Sequence, residues 1–383
     1  MRIAHVLSSL HLGGQERVAL DLATFQKAAG EDVTVISLGP PPEGPLAAEF
    51  RAAGATVETF VKKAGFDFAL SMRLGLWMRG RFDLVHTHNP AALLYGAPAA
   101  AMAGVACVHT KHGANPRAGR RLVANRLAGR LVDAFVAVSP ETAQVARHRK
   151  EVAESKLHVI PNGIDLDCFV PDPSARAALR TELGIAHGAW VVGTVGRLAV
   201  EKNHDLLLRA VAPLLGLDDH VVLVGDGPLA GALATLAREL GIERRVHFLG
   251  ARSDVSALLN VLDVFVLSSR TEGLPLVIPE AMATGIVVVS TAVGGIPTVL
   301  EEGTTGFLVA AGDEAALRAK MALLQRDPDL GRACGAEGRS AALARFSAVR
   351  MRRDYQQLYE KVLAQRTVAT GLRKARHHRT GDR

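Results

Sequence analysis

The chain has 383 residues, long enough for two domains with a core each, and 49% hydrophobic against 22% charged residues is the balance of an ordinary soluble globular protein. Forty-five Lys and Arg against thirty-eight Asp and Glu leave +7, a modest excess that gives no reason to expect a nucleic-acid partner. Cys107, Cys168 and Cys334 are far apart and form no C-x-x-C pair, which excludes a disulfide framework and reads as reduced cytosolic thiols.

Arg2–Leu7 reads as a first strand, Ser8–Gly14 as a turn, and Gln15–Ala29 as a helix with Val18, Leu22 and Phe25 at helical spacing. The first residues do not have the pattern of a signal peptide. A strand, Gly13-Gly14 and a helix together can bring backbone N–H groups to an anion, although a plain turn has the same letters. Asp32–Leu38 and Thr56–Phe60 are further strands, with a helix at Leu46–Ala53 between them. Phe82–Asn89 ends a strand in His86 and His88; no carboxylate or cysteine accompanies them, so a structural or loop-ordering role is expected over metal ligation. The charge-free run Asn89–Val108 is mostly Ala and Gly and holds Pro90 and Pro98, so a buried helix followed by a strand at Val105–His109 is expected rather than a membrane span. The chain is therefore expected to be cytoplasmic, with peripheral membrane contact left open. After His112-Gly113, Arg117–Arg130 sets Arg120, Arg121, Arg126 and Arg130 around Val123 and Leu127. This basic amphipathic helix is either a solvated face or a surface for an anionic or lipid-linked acceptor. Ala134–Ser139 closes the sheet, and Glu141–Val152 is a helix.

Val159–Asp165 (V-I-P-N-G-I-D) comes next, and Asp165 with Asp167 makes a formal D-x-D. Trp190–Leu198 opens a second domain. Arg197 and Lys202 follow its first strand, where two cations can clamp a diphosphate, Arg in bidentate fashion and Lys as a point charge. Val221–Pro228 is a strand and turn, and Val261–Leu267 is a buried parallel strand leading into Glu272-Gly273-Leu274-Pro275. Pro275 suits a first helical turn and Gly285 a stop. Glu272 would then stand in a loop at the strand's C-terminal end, beside the N–H groups of Gly273 and Leu274, where ligands bind in open α/β sheets. Glu280 would lie two turns further on, roughly 12 Å by helical rise. Gly294-Gly295 makes a second glycine turn, Arg350–Leu363 a final helix, and the basic tail after Gln365 has the composition of a disordered segment.

Taken together, the segments G-G-Q-E-R at 13–17, D-L-V-H-T-H at 83–88, V-I-P-N-G-I-D, G-R-L with E-K-N at 196–203, L-V-G-D-G-P at 223–228 and E-G-L-P…E-A-M-A around Glu272 and Glu280 resemble, in order, those of the retaining GT-B glycosyltransferases of glycosyltransferase family 4. The resemblance covers nearly all of residues 1–364, and it implies that V-I-P-N-G-I-D joins two domains, where the D-x-D of Asp165 and Asp167 is incidental. It implies an α/β GT-B fold, two Rossmann-like domains facing a central cleft. Residues 1–165 would form the acceptor-side domain and 166–345 the donor domain; 346–364 would be a helix crossing back, and 365–383 the tail. It implies donor-binding roles for Gly13, Gly14, Arg197, Lys202, Gly273, Leu274 and Glu280, with Glu272, His112, Arg197 and Lys202 as catalytic residues. In this picture Arg197 and Lys202 hold the diphosphate in place of a metal, Glu272 holds sugar hydroxyls, Glu280 the ribose, and His112 the sugar near the reacting carbon. No cofactor is implied. The partners are a nucleotide-sugar donor (UDP-, GDP-, ADP- or dTDP-linked) and a hydroxyl acceptor, with a lipid-linked one among the options, in cell-surface polysaccharide or glycolipid synthesis. Three positions depart from the pattern: Thr298 stands where relatives carry Glu, Val287 where they carry Pro, and Gln15 where they carry a small residue. A sugar-nucleotide 2-epimerase and a non-catalytic nucleotide-sugar binder are the rival readings, and a donor turned over without acceptor would mark the epimerase.

Overall fold

The computed structural model describes residues 1–11, 13–63, 65–113 and 119–380, and in the last helix side chains as far as residue 368. It divides into two units, residues 1–162 with 349–383, and residues 163–348.

The first unit is built on β1 (Arg2–Leu7), β2 (Asp32–Ser37), β3 (Thr56–Thr59), β4 (Leu84–His88), β5 (Ala106–Lys111), β6 (Ala134–Ala137) and β7 (Leu157–Val159). All pair in parallel, in the order β3-β2-β1-β4-β5-β6-β7. The strands at the centre of the sheet are buried along nearly their whole length, as in parallel sheets covered on both faces. One face buries Val6, Val85, Cys107 and Phe135 against Leu74 of α3 (Phe68–Met78) and Leu93 of α4 (Asn89–Ala103). Another cluster joins Leu7, Val33 and Val35 to Leu20 of α1 (Gly14–Ala28) and Phe50 of α2 (Leu46–Ala52). The charge-free stretch is thus divided between α4 and β5. Among the described residues no helix is long and apolar enough to cross a membrane. The basic helix α5 runs Arg120–Leu131; Arg117, expected within it, lies outside the described residues, as does Leu12 of the glycine turn. α6 spans Pro140–His148, capped by Ser139 Oγ, which accepts from Thr142 N at 3.1 Å.

The second unit carries β8 (Val191–Val195), β9 (His220–Val224), β10 (Val246–Phe248), β11 (Val264–Leu267), β12 (Val287–Thr291) and β13 (Phe307–Val309), all parallel, in the order β10-β9-β8-β11-β12-β13. Its helices are α7 (Pro173–Glu182), α8 (His204–Val211), α9 (Ala230–Glu239), α10 (Val255–Leu259), α11 (Val277–Ala283), α12 (Glu314–Arg326) and α13 (Pro328–Arg345). Asp172, Asp313 and Asp327 cap α7, α12 and α13 through their carboxylates, and Pro173 and Pro328 follow two of these caps at the first helical position. The chain then returns to the first unit as α14 (Ala348–Thr380).

Three expectations are corrected. β11 begins at Val264, not Val261, because the preceding carbonyls turn to two arginines of α7. Arg176 Nη1 donates to the carbonyls of Asn260, Val261 and Leu262, and the buried Arg180 donates to Val261 from Nε and Nη2, at 2.9–3.2 Å. α11 starts at Val277, so Pro275 precedes the helix instead of standing in its first turn. The segment after 365 is helical through Thr380 instead of disordered. The segment has few apolar residues, but Arg, Lys, Leu and Ala are strong helix formers.

Candidate functional site

In each sheet the strand order reverses once, between β1 and β4 and between β8 and β11. The crevice outside the carboxyl ends of the strands at such a switch point is where open α/β sheets take ligands. The candidate residues lie at these two points.

In the second unit, Arg197 is exposed just beyond β8, and no hydrogen bond or ion pair holds its guanidinium among the described residues. The L-V-G-D-G-P turn supports this segment: Gly196 N donates to Val224 O at 2.9 Å and Leu198 N to Asp226 O at 3.0 Å. Gly225 has φ +137°, and a Cβ there would run into the Gly196 carbonyl, so glycine is required. Lys202 ends a short 3-10 turn, Val200–Lys202. Its Nζ donates to Glu272 Oε1 at 2.6 Å, and Ser269 Oγ donates to the same oxygen at 2.6 Å. The Lys202 and Glu272 side chains are 19% and 10% exposed, so the pair is partly desolvated yet reachable. Ser268 Oγ ties the two strand ends together by donating to the carbonyls of Lys202 (3.1 Å) and Asn203 (2.9 Å). The second glycine turn fixes the other side. Gly295 N donates to Gly273 O at 2.7 Å, and Gly294, at φ +57°, sits so close to the Glu272 carbonyl that a Cβ would collide with it.

Glu280 lies in the first turn of α11, on the element after the loop, not two helical turns beyond Glu272 along one helix. Asp165 Oδ1 accepts from Asp167 N (3.0 Å) and Cys168 N (3.2 Å), closing a local turn.

In the first unit Gly13 and Gly14 open α1, which has no side-chain cap. A Cβ at Gly13 would run into the Glu16 carboxylate, whose burial raises it above the usual carboxylate range. The Gln15 departure has a visible role: its Oε1 accepts from Asn89 Nδ2, and Asn89 Oδ1 accepts from His112 N at 3.1 Å.

His86 and His88 point to one face of the sheet, the face that holds His5, because a two-residue period on β4 returns them to the same side and His5 is His86's register partner. His86 Nε2 bonds Thr110 Oγ1 at 2.7 Å and its Nδ1 bonds Tyr359 of α14 at 2.6 Å. His5 bonds Gln26 (2.8 Å) and His88 (3.0 Å), and His88 bonds His112 (3.1 Å). The rings of His5, His86 and His88 are close enough to ligate one cation, but all six of their nitrogens are engaged in these bonds. Burial holds them neutral, His5 pulled down to about 4 and His112 to about 3, with His86 and His88 well below the usual histidine value. His112 itself is half-buried, with Nδ1 covered.

The candidate residues thus fall into two groups: Lys202, Glu272, Gly273 and Leu274, with Arg197 and Glu280 on neighbouring segments, in the second unit, and Gly13, Gly14 and His112 in the first. Ser269, Gln26, His5 and Tyr359 were not singled out from the sequence. Only a polar residue inside an apolar strand pattern, as at His5, could have flagged one of them.

A profile described as Glycosyltransferase Family 4 matches residues 12–168, and one described as Glycosyl transferases group 1 matches residues 175–341. The UDP-Gal:alpha-D-GlcNAc-diphosphoundecaprenol alpha-1,3-galactosyltransferase of Escherichia coli is 30% identical over 331 residues, 82% of this chain and 85% of that protein. The D-inositol 3-phosphate glycosyltransferase of Mycobacterium sp. (strain KMS) is 34% identical over 254 residues, 61% of this chain and 57% of that one. Among solved structures, Anabaena Alr3699/HepE in complex with UDP-glucose superposes with a TM-score of 0.86 at 25% identity, covering 94% of this chain and 100% of that one. Neither the epimerase nor the catalytically silent binder draws support from these relatives.

Proposed function

Because this chain belongs to glycosyltransferase family 4, with two parallel-sheet α/β domains of the GT-B type, we propose that it moves a hexosyl group from a uridine diphosphate donor to a hydroxyl of a lipid-linked acceptor, with retention and without a metal ion. The observation that carries the reading is the Lys202–Glu272 pair, 2.6 Å apart at the switch point of the second unit, with Arg197 exposed just after β8 and unpaired among the described residues. Lys202 and Arg197 would take the charge that develops on the leaving diphosphate, the part a metal plays elsewhere. The bond from the anomeric carbon to the phosphate oxygen breaks as the acceptor oxygen bonds on the same face, and the acceptor proton passes to the departing phosphate. Glu272 would face the sugar as its anomeric carbon gains positive charge, and Glu280 the ribose. Uridine and a lipid-linked acceptor are favoured by the Escherichia coli relative, which takes UDP-Gal and a diphosphoundecaprenol-linked sugar, and by the UDP-glucose complex of HepE. The alpha linkage in that relative's name is what retention yields from an α-linked nucleotide sugar.

Thermal shift across UDP-, GDP-, ADP- and dTDP-sugars tests the donor: the UDP-sugars should raise the melting temperature most, and a shift with GDP-sugars alone would overturn the assignment. Activity should persist in excess EDTA. The anomeric coupling constant of the product should match that of the donor, and an inverted product or a loss restored by Mg²⁺ would end this mechanism.

A further inference from the structure

Four side chains of the first unit stand in single file. Gln26 Oε1 is 2.8 Å from His5 Nε2, His5 Nδ1 is 3.0 Å from His88 Nε2, and His88 Nδ1 is 3.1 Å from His112 Nε2. The first link sets the direction of the rest. An amide oxygen can only accept, so His5 carries its proton on Nε2, and a neutral imidazole then has a bare Nδ1. A bare nitrogen accepts, so His88 must donate from Nε2; its own Nδ1 is bare in turn, and His112 must donate from Nε2. The lone pair ends on His112 Nδ1, an atom covered from solvent and without a hydrogen-bond partner among the described residues. Burial keeps all three rings neutral, which the bookkeeping requires. The Gln26 amide is also bonded to the Tyr359 phenol, which lies 2.6 Å from His86 Nδ1, and an amide N–H given to the phenol leaves Oε1 for His5.

We propose that this file fixes His112 as a hydrogen-bond acceptor whose Nδ1 receives a hydroxyl hydrogen of the transferred sugar, with Gln26 and His5 as positioning residues that act through His88. The proposal rests on the assignment of His112 to the donor sugar. A polar atom buried without a partner is costly, so a ligand that brings a hydrogen to it gains what the empty site lacks. Donating with Nε2 to His88 leaves Nδ1 no other role. Gln26 is buried on α1 and bonded to His5, two rings from His112, yet it determines which nitrogen of His112 is left without a proton.

The test uses UDP-glucose and UDP-galactose in which each ring hydroxyl in turn is replaced by hydrogen or by fluorine, which cannot donate. At one position both replacements should lower kcat/KM by about threefold to tenfold, as for a neutral hydrogen bond, and the penalty should vanish in His112→Ala. In Gln26→Met the penalty should shrink, and long-range ¹⁵N–¹H spectra of histidine-labelled protein should change from an Nε2–H His112 to mixed tautomers. Gln26→Glu, which can still accept, should keep the wild-type spectrum if Gln26→Met fails to fold. If fluorine restores activity at the position coupled to His112, His112 is a donor and the polarity is reversed, while its place at the sugar stands. If no position is coupled to His112, its assignment to the sugar is wrong and the proposal goes with it. A wild-type spectrum showing His112 protonated on Nδ1 overturns the file on its own.

Discussion

Glu272 has two demands on it: one carboxylate oxygen already accepts from Lys202 and Ser269, each at 2.6 Å. Its substitution should therefore disturb catalysis more than donor capture. Glu272→Gln is expected to lower kcat while calorimetric donor binding is largely kept, because the lost charge matters most when the anomeric carbon is positive. Glu280→Gln should instead raise the donor KM, since a ribose contact is equal in ground and transition states. The loss of a charge-assisted hydrogen bond is worth about 1.5–3 kcal/mol, or roughly tenfold to a hundredfold. Steady-state kinetics with the donor varied separates the two, and a shared KM-only defect would show that Glu272 is a binding contact alone. At this scale the sequence was legible where chemistry follows local order. Arg197, Lys202 and Glu272 each follow a strand, and parallel topology brings those strand ends together. It was silent on Ser269 and Gln26, whose roles depend on partners 3 and 21 residues away through side-chain geometry.

Among the elements, α14 decides what the histidine face of β4 and β5 can be. Tyr359 satisfies His86 Nδ1, and Tyr355 bonds Thr110 Oγ1 at 3.0 Å. Tyr359→Phe should cost about 1–3 kcal/mol by leaving a buried nitrogen unsatisfied, read as a lower urea midpoint at unchanged m. The same face makes stability depend on pH. Burial lowers His5, His86, His88 and His112 from the ordinary 6.5, His5 to about 4, and it also lowers His109, which lies with Thr87 on the opposite face. Below 6.5 the unfolded chain binds protons that the folded rings refuse, so stability should be level above that value and fall as pH drops toward 4. Each ring contributes at most about 1.4 kcal/mol per pH unit, and the protons arrive as those of a coupled group. Thermal unfolding from pH 8 to 5.5, above most carboxylate titration, checks this; a constant midpoint across that range would count against buried neutral rings. The strands and their order of types could be read from runs of Val, Ile and Leu, but the start of β11 could not, since Arg176 and Arg180 reach the residues before it from 81 to 86 positions earlier. Nor could composition separate a helix from a disordered tail beyond residue 365, because both can have few apolar residues.

On the scale of the molecule, +7 is a small net charge, and what matters is where it lies. Between Phe68 and Val132 the sequence holds a single acidic residue, Asp83, and that carboxylate is bonded to Arg2 at 2.7 Å. Over the same stretch α5 exposes Val123, Leu127 and Leu131 one turn apart, with exposed Arg120, Arg121 and Arg130 beside them. α3 exposes Phe68, Met72 and Leu76 at the same spacing, and both helices pack on α4. Apolar side chains at four-residue intervals among arginines are the pattern of a face that lies on an anionic membrane, where the arginines meet headgroups and the apolar chains enter the interface. A solvated face would carry acids to balance the arginines; this one does not. The lipid-linked acceptor proposed above would give such a face its use, since the face would hold the enzyme where that acceptor is. Co-sedimentation should therefore show binding to vesicles rich in anionic lipid, weak binding to zwitterionic ones, and a fall with rising salt as the charges are screened. Each headgroup contact is worth about 1 kcal/mol near the surface, so Arg120→Glu with Arg121→Glu should cut binding by at least tenfold. Leu127→Ser, which leaves the charge intact, should weaken binding with little change in its salt dependence. Equal binding to both vesicle types, or none to either, would show that these stripes face water and that the acceptor finds the enzyme by another route.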